Sequence, residues 1–534
     1  MAPSLSTLPP EIFTQIIENI PKNGHLLDLA LCCHGFYALV LPELYSHLSL
    51  NVDLLDDRRT HPKLRLLTCR ILSSPTLASS VRSITLNQEW SCPKSYPHDD
   101  DDHVTEINDN HNEAYEDHDD YNHDVTWYPR ANHQESTNQN AAEADMLDIF
   151  HLPQHMSLLD RNELLEVMNC DNEHALMALL FQAAPNLQAM SIRIHAFQAE
   201  ILFNVFERAV AVRNHPQAHP PSQTLAYLQF VVNNYDNSGA GKCCVPTNFL
   251  YYLIRLPTIR EIYMSRYGNL LFLDDWLFPS GKLECGSCPT VEHLEFRDSV
   301  LEAKELKDIL AACSNLKTFV HDVGSTSHLS SRRCSLVDMQ HHLLATANTL
   351  TNLWLDYWGD TPYSTFIATN LTPISSLDKF QKLKNLKVGM DVLFGVGGWG
   401  SRWGEEEITD SAVPNLGRIL PKSLETLGFS HTLGRIGILT HALQKMLSVQ
   451  QNYLPNMREI TFEAYQAGID QTPSLGRLQD SAAGAEIQLR IISMADEERP
   501  SLDSGRGWGE SVTWATSIRH GTSTGKLIAK ADDG

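Results

Sequence analysis

Three stretches of this chain carry residue types at spacings that could do chemistry. Gly395-Val396-Gly397-Gly398-Trp399-Gly400 has the Gly-x-Gly-x-x-Gly spacing of turns that admit a phosphate to a helix N-terminus. The residues that follow are Gly404-Glu405-Glu406-Glu407, whose carboxylates would repel an anion, so the stretch reads as a loop between repeated units. Cys285-Gly286-Ser287-Cys288 is a lone Cys-x-x-Cys, and Cys243-Cys244 is poorly spaced to supply the second ligand pair that a structural zinc needs. His98, His103, His111, His118 and His123 lie among carboxylates, but their spacings build no rigid metal site. There is no Gly-Lys-Ser/Thr phosphate loop, no Gly-x-Ser-x-Gly elbow and no His-Glu-x-x-His helix. The reading is therefore of a non-enzyme, with no catalytic residue, no cofactor and no metal.

The elements around these stretches explain more. The 534 residues carry a net charge of −24, which argues against nucleic acid as a main partner, since neutralising phosphates takes Lys and Arg. Residues 98–124 hold twelve Asp or Glu, five His and no Lys or Arg, half of that net charge in one segment. Such a run cannot bury enough apolar surface to offset its ordering entropy, so a disordered acidic insert is expected over 93–146. No apolar run is long enough for a membrane span, and no secretory leader is recognised at the N-terminus. Eleven scattered cysteines suit reduced thiols, and a cytoplasmic or nuclear location is expected.

Near the N-terminus, Ile12, Ile16, Ile17 and Ile20 recur at helical spacing after Pro9-Pro10, which suits a first helical turn. Leu26 to Cys32 and Phe36 to Leu41, closed by Pro42, read as two more helices. Three short helices have too little interior to bury all these side chains, so the surplus must meet the rest of the chain or a partner. Leu8-Pro9-x-Glu11-Ile12, Ile16, Ile20, Asp28-Leu29-x-Leu31-Cys32, Phe36, Leu39 and Pro42-x-Leu44-Tyr45 resemble the F-box. That family implies docking to a Skp-type adaptor and, through it, a cullin, here by Leu8, Pro9, Ile12, Ile16, Leu29 and Phe36.

A phrase of apolar, two residues, apolar, one residue, apolar recurs ten times. It begins at Val81, Leu187, Leu225, Ile259, Val291, Leu316, Leu350, Leu383, Leu424 and Met457. Several copies follow Pro-Asn, Pro-Thr or Ser-Asn, and helical patterns such as 301–313, 339–347 and 436–447 lie between them. One strand and one helix per unit, at intervals from 25 to 41 residues after Leu187, indicates an irregular solenoid; an ordinary α/β parallel sheet is the alternative. With the N-terminal module, this resembles the F-box/leucine-rich-repeat receptors.

The expected fold class is α/β: a three-helix F-box over 1–48, a linker helix and first repeat-like strand over 49–92, and the acidic insert. A leucine-rich-repeat-like solenoid should follow over 147–465, then a largely disordered tail over 466–534. The resemblance implies a substrate-recognition subunit of a Skp–cullin–F-box ubiquitin ligase, acting on a protein substrate. The competing expectation is a non-ligase interaction scaffold. Strand alternation sends the residues between the apolar ones to the opposite face, where Tyr263, Arg297, Trp354 and Asp356 are expected to meet substrate. Burial of Trp354 under a neighbouring loop stays open.

Overall fold

The structure is a computed structural model. It describes residues 9–20, 23–52, 62–88, 173–192, 200–214, 224–233, 245, 247–265, 267–268, 283, 286–297 and 299–323. It further describes 334–356, 372–394, 415–430, 436–448, 453–464 and 473–493. Leu8, the acidic stretch 93–146, Cys243, Cys244, Cys285, the glycine-rich stretch 395–400 and the segment beyond 493 lie outside the described residues.

The chain opens with three helices, α1 (Pro10–Glu18), α2 (Asn23–Cys32) and α3 (His34–Leu44). Proline at the first position costs α1 no hydrogen bond, because the N–H it lacks would have had no helical partner. The expected stop at Pro42 is not observed: α3 runs through it to Leu44, the missing bond falling in its last turn. Phe13, Ile17, Leu26, Ala30 and Val40 form a small core of their own, and Phe13 stacks on Phe36 with centroids 5.0 Å apart.

Twelve strands follow in a single all-parallel sheet whose spatial order is the chain order. They are β1 (His47–Val52), β2 (Ser83–Gln88), β3 (Ala189–Ile192), β4 (Phe230–Asn233), β5 (Glu261–Ser265) and β6 (His293–Arg297). The second half comprises β7 (Thr318–Asp322), β8 (Asn352–Asp356), β9 (Asn385–Gly389), β10 (Thr426–Ser430), β11 (Glu459–Ala464) and β12 (Gln488–Ser493). Between them run α4 (Pro62–Leu72), α5 (Pro75–Ser80), α6 (Glu173–Ala183), α7 (Glu200–Asn214), α8 (Thr247–Arg255), α9 (Ala303–Ala312) and α10 (Leu336–Leu343). The later ones are α11 (Met390–Phe394), α12 (Leu416–Ile419), α13 (Ile436–Leu447) and α14 (Pro473–Gly484). The described helices between the strands pack with them into one continuous hydrophobic core, the arrangement of a strand–helix solenoid.

The repeated phrase explains this order. Its second apolar residues form one buried row in register, with Ile84, Met190, Ile262, Leu294, Phe319, Leu353, Leu386, Leu427 and Ile460 facing the helices. Filling one such site with Leu or Ile is worth roughly 1.5–3 kcal/mol. At the strand starts one carbonyl accepts two N–H groups of the next unit: Arg82 takes Gln188 and Ala189, and Lys317 takes Thr351 and Asn352. The Asn before a phrase closes the turn behind it. Asn186, Asn315 and Asn456 each donate to the carbonyl two residues ahead of the preceding phrase, those of Ser79, Pro289 and Lys422.

Three expectations are corrected. The third phrase is out of register by three residues, since Met190 pairs with Val231 and not with Leu228. Leu225, at φ 56°, lies in the turn before the strand, and Asn233 occupies a core position that its neighbours fill with Ile192 and Met264. The solenoid does not stop at 465, because α14 and β12 add a further unit in which Leu489 pairs with Ile460 and Ile491 with Phe462. That copy escapes the pattern because Glu486, at φ 58°, stands where the first apolar residue belongs. Similarly, β1 forms an extra strand ahead of the first phrase, where the Ser46 carbonyl accepts from both Arg82 N–H and Ser83 N–H.

Candidate functional site

Two surfaces bring functional side chains together. The first is on the helical cap. Its small core uses one stripe of each helix, which leaves Ile12 and Ile16 of α1, Leu27 and Leu31 of α2, and Tyr37 and Leu39 of α3 exposed. Leu31 is 75% exposed and Leu27 is 51% exposed, among the largest values for any apolar side chain described. Of nine large apolar side chains exposed among the described residues, six belong to this cap. Of the residues expected to reach an adaptor, Pro9, Ile12 and Ile16 are exposed, whereas Leu29 and Phe36 pack into the cap core. Leu27, Leu31, Tyr37 and Leu39 were missed as site residues, since one helix-period pattern serves both core and surface when nearly every position is apolar.

The second surface is the sheet face turned away from the helices. Helices are ~10 Å thick and strands sit ~4.8 Å apart, so the strand side is the inner side of the curve. Its outer strands carry small or half-buried groups, such as Ser49, Thr85, Ser191, Gly428 and Thr461. From β5 to β9 the same face carries Tyr263, Glu295, Val320, Trp354 and Lys387, one per strand in register. All five are buried.

These groups hold one another. Glu295 is fully buried, with Oε1 accepting from Arg297 Nε at 2.8 Å and Oε2 3.3 Å from His293 Nε2. Burial alone would raise its carboxyl, but the charge and hydrogen bonds of Arg297 and His293 outweigh that and hold it at about 2. Arg297 reaches across β7, where Val320 is short, and lies 3.5 Å from the Trp354 ring centroid. Lys387 brings its ammonium to 3.6 Å from the same centroid, its stem packed above Gly428, which has no side chain to displace it. Tyr263 lies 4.5 Å from the His293 ring and 5.0 Å from Phe230, and its hydroxyl donates to Glu261 at 2.9 Å.

Two further rows brace this cluster. Asn352 donates to Thr318 at 2.9 Å, Asn385 to Asn352 at 2.6 Å, and Thr426 to Asn385 at 2.7 Å, a side-chain ladder over four strands. Ser430 reaches past Gly389 to donate to Asp356, spanning a strand that offers no side chain at that position. The structure therefore places Tyr263, Arg297, Trp354 and Asp356 on the expected face, but Tyr263, Trp354 and Asp356 are buried and Arg297 is only partly open. An exposed recognition row does not describe them. His293 and Lys387 were missed as members of the cluster, because pairing across strands is visible only after the register is known.

No model of a known protein family matches the chain, and no curated protein matches it. No helix among the described residues is long and apolar enough to cross a membrane. Among the described residues there is also no group of three or more His, Cys, Asp or Glu that could hold a metal ion.

Proposed function

We propose that this chain is a substrate-recognition subunit of a Skp–cullin–F-box ubiquitin ligase, with α1–α3 docking a Skp-type adaptor and the repeats receiving a protein substrate. The observation that carries the reading is the apolar surface of the cap: a module with its own core still presents Ile12, Ile16, Leu27, Leu31, Tyr37 and Leu39 to solvent. So many exposed apolar groups on one small module mark a protein interface. The F-box-like order of residues supports a Skp-type adaptor as the partner. The solenoid supports the second half of the reading, since stacked repeats present an extended surface to a protein ligand.

The test is adaptor binding by the full chain, compared with Leu27→Asp/Leu31→Asp. Loss of adaptor binding with an unchanged melting curve supports the assignment. Unchanged affinity would overturn it. Purification from the source cell without adaptor or cullin would favour the non-ligase scaffold.

A further inference from the structure

The lone Cys-x-x-Cys of the sequence acquires a neighbour in the fold. The turn at residues 286–288 lies along the C-terminal end of α9, where carbonyls have no partner within the helix. Gly286 N–H donates to the Ala311 carbonyl at 2.8 Å, and Cys288 N–H donates to the Ala312 carbonyl at 3.1 Å. Gly286 sits at φ 70°, the left-handed conformation that lets the turn fold back on the helix. Cys313, which ends α9, is therefore brought beside Cys288 although 25 residues separate them. One hydrogen bond and the adjoining backbone bonds place their α-carbons roughly 5–7 Å apart. Disulfides span roughly 4.4–6.8 Å. Both thiols are free and both are buried in the same core.

We propose that Cys288 and Cys313 are a covalent modification site, forming an intramolecular disulfide when the chain meets a peroxide-class oxidant. The two thiols differ in a way that assigns their roles. Burial pushes both up, but for Cys288 the Ser287 hydroxyl, 3.2 Å from its sulfur, and the charge of Arg255 oppose the rise. Burial raises Cys313 much further, and the nearby Cys288 adds to it. Cys288 also stands at the base of an exposed turn, beside Gly286 and Ser287, so local opening uncovers it first.

Cys288, as thiolate, attacks the peroxide; the O–O bond breaks, leaving a sulfenic acid on Cys288 and hydroxide. The Cys313 sulfur then attacks Cys288, the S–S bond forms, the S–O bond breaks, and the departing oxygen leaves as water with the Cys313 proton. In sum, two thiols lose two hydrogens and one peroxide becomes two waters. The bond would close the loop that contains β6 and thereby tie down the strand bearing Glu295 and Arg297.

The experiment treats the full-length chain with hydrogen peroxide, blocks remaining thiols with an alkylating reagent under denaturing conditions, and maps the peptides without reduction. The expected result is a linked Cys288–Cys313 peptide pair, removed by a reducing agent. The oxidised chain should also melt at a higher temperature than the reduced one, a difference that Cys288→Ala and Cys313→Ala both abolish. Alkylation of both residues after treatment, or linkage of Cys288 to a different cysteine, would overturn the proposal. Should either variant fold poorly, the peptide map of the unsubstituted chain still decides.

Discussion

The helical cap and the centre of the sheet's inner face break opposite rules of burial. The cap exposes what a small module should hide: Ile12, Ile16, Leu27, Leu31, Tyr37 and Leu39 face solvent around a core of five buried residues. The sheet centre hides what a water-soluble surface should show, with Glu295 and Lys387 buried and Arg297 largely covered around Trp354. Exposed apolar surface costs the free chain hydration free energy and is recovered only by a partner, so it indicates recognition. Buried charge is tolerated only when it is paired, so its partners are structural necessities before they are anything else. On this contrast, changes in the sheet centre should act on stability, and changes on the cap should act on binding.

The largest effect is expected from Trp354→Ala. Removing the ring leaves a cavity and takes the π-face from both Arg297 and Lys387, which should lower unfolding free energy by roughly 3–5 kcal/mol in denaturant titrations. An unchanged unfolding free energy, with weakened capture of a protein substrate, would show that this face is an open recognition surface and break the contrast.

Glu295→Gln keeps the shape but removes the charge that Arg297 answers. It should cost about 3 kcal/mol, because a buried cation then lacks its counterion. The pH dependence follows in sign. The folded carboxyl sits at about 2 against an ordinary 4.5, so its contribution is complete above 4.5 and is lost as pH falls towards 2. Wild type should lose stability through that interval, and the Gln variant should lose less. Parallel pH profiles would remove Glu295 from the account.

On the cap, Leu31→Asp alone should leave the unfolding free energy within about 0.5 kcal/mol, as for an exposed position. Its effect on adaptor affinity should be about 2 kcal/mol or more if Leu31 is an interface hot spot. A large loss of stability would place Leu31 in the cap core and remove its claim to a partner.

The smallest effect is expected at the strand starts, where Lys384 meets Glu425 at 2.9 Å while about half exposed. Lys384→Ala should change stability by no more than about 1 kcal/mol, with most of that lost in high salt. A larger effect would mean that ion pairing at the rim matters as much as the buried cluster.

The alternation of strand and helix was legible because the apolar phrase is a local pattern whose period matches the strand. The same local pattern misplaced β4. Leu225-x-x-Leu228-x-Phe230 satisfies it better than Leu228-x-x-Val231-x-Asn233, whose last residue is polar, and only pairing with Met190 selects the second. The exposed cap residues were legible as a surplus but not as a list, since Leu29 and Leu31 differ only in which side of α2 meets α3.

What the sequence determined by itself was the parallel strand–helix order, the two-residue periodicity that assigns each side chain to a face, and the apolar excess of the first helices. These follow from short-range geometry: side-chain direction alternates along a strand and returns every third or fourth residue along a helix. Only the tertiary structure decided which inner-face residues are covered, that Arg297 and Lys387 converge on Trp354, and that Cys288 lies beside Cys313. Each of those joins residues from different turns of the solenoid or opposite ends of one unit. Their proximity depends on register and stacking, which no local spacing records.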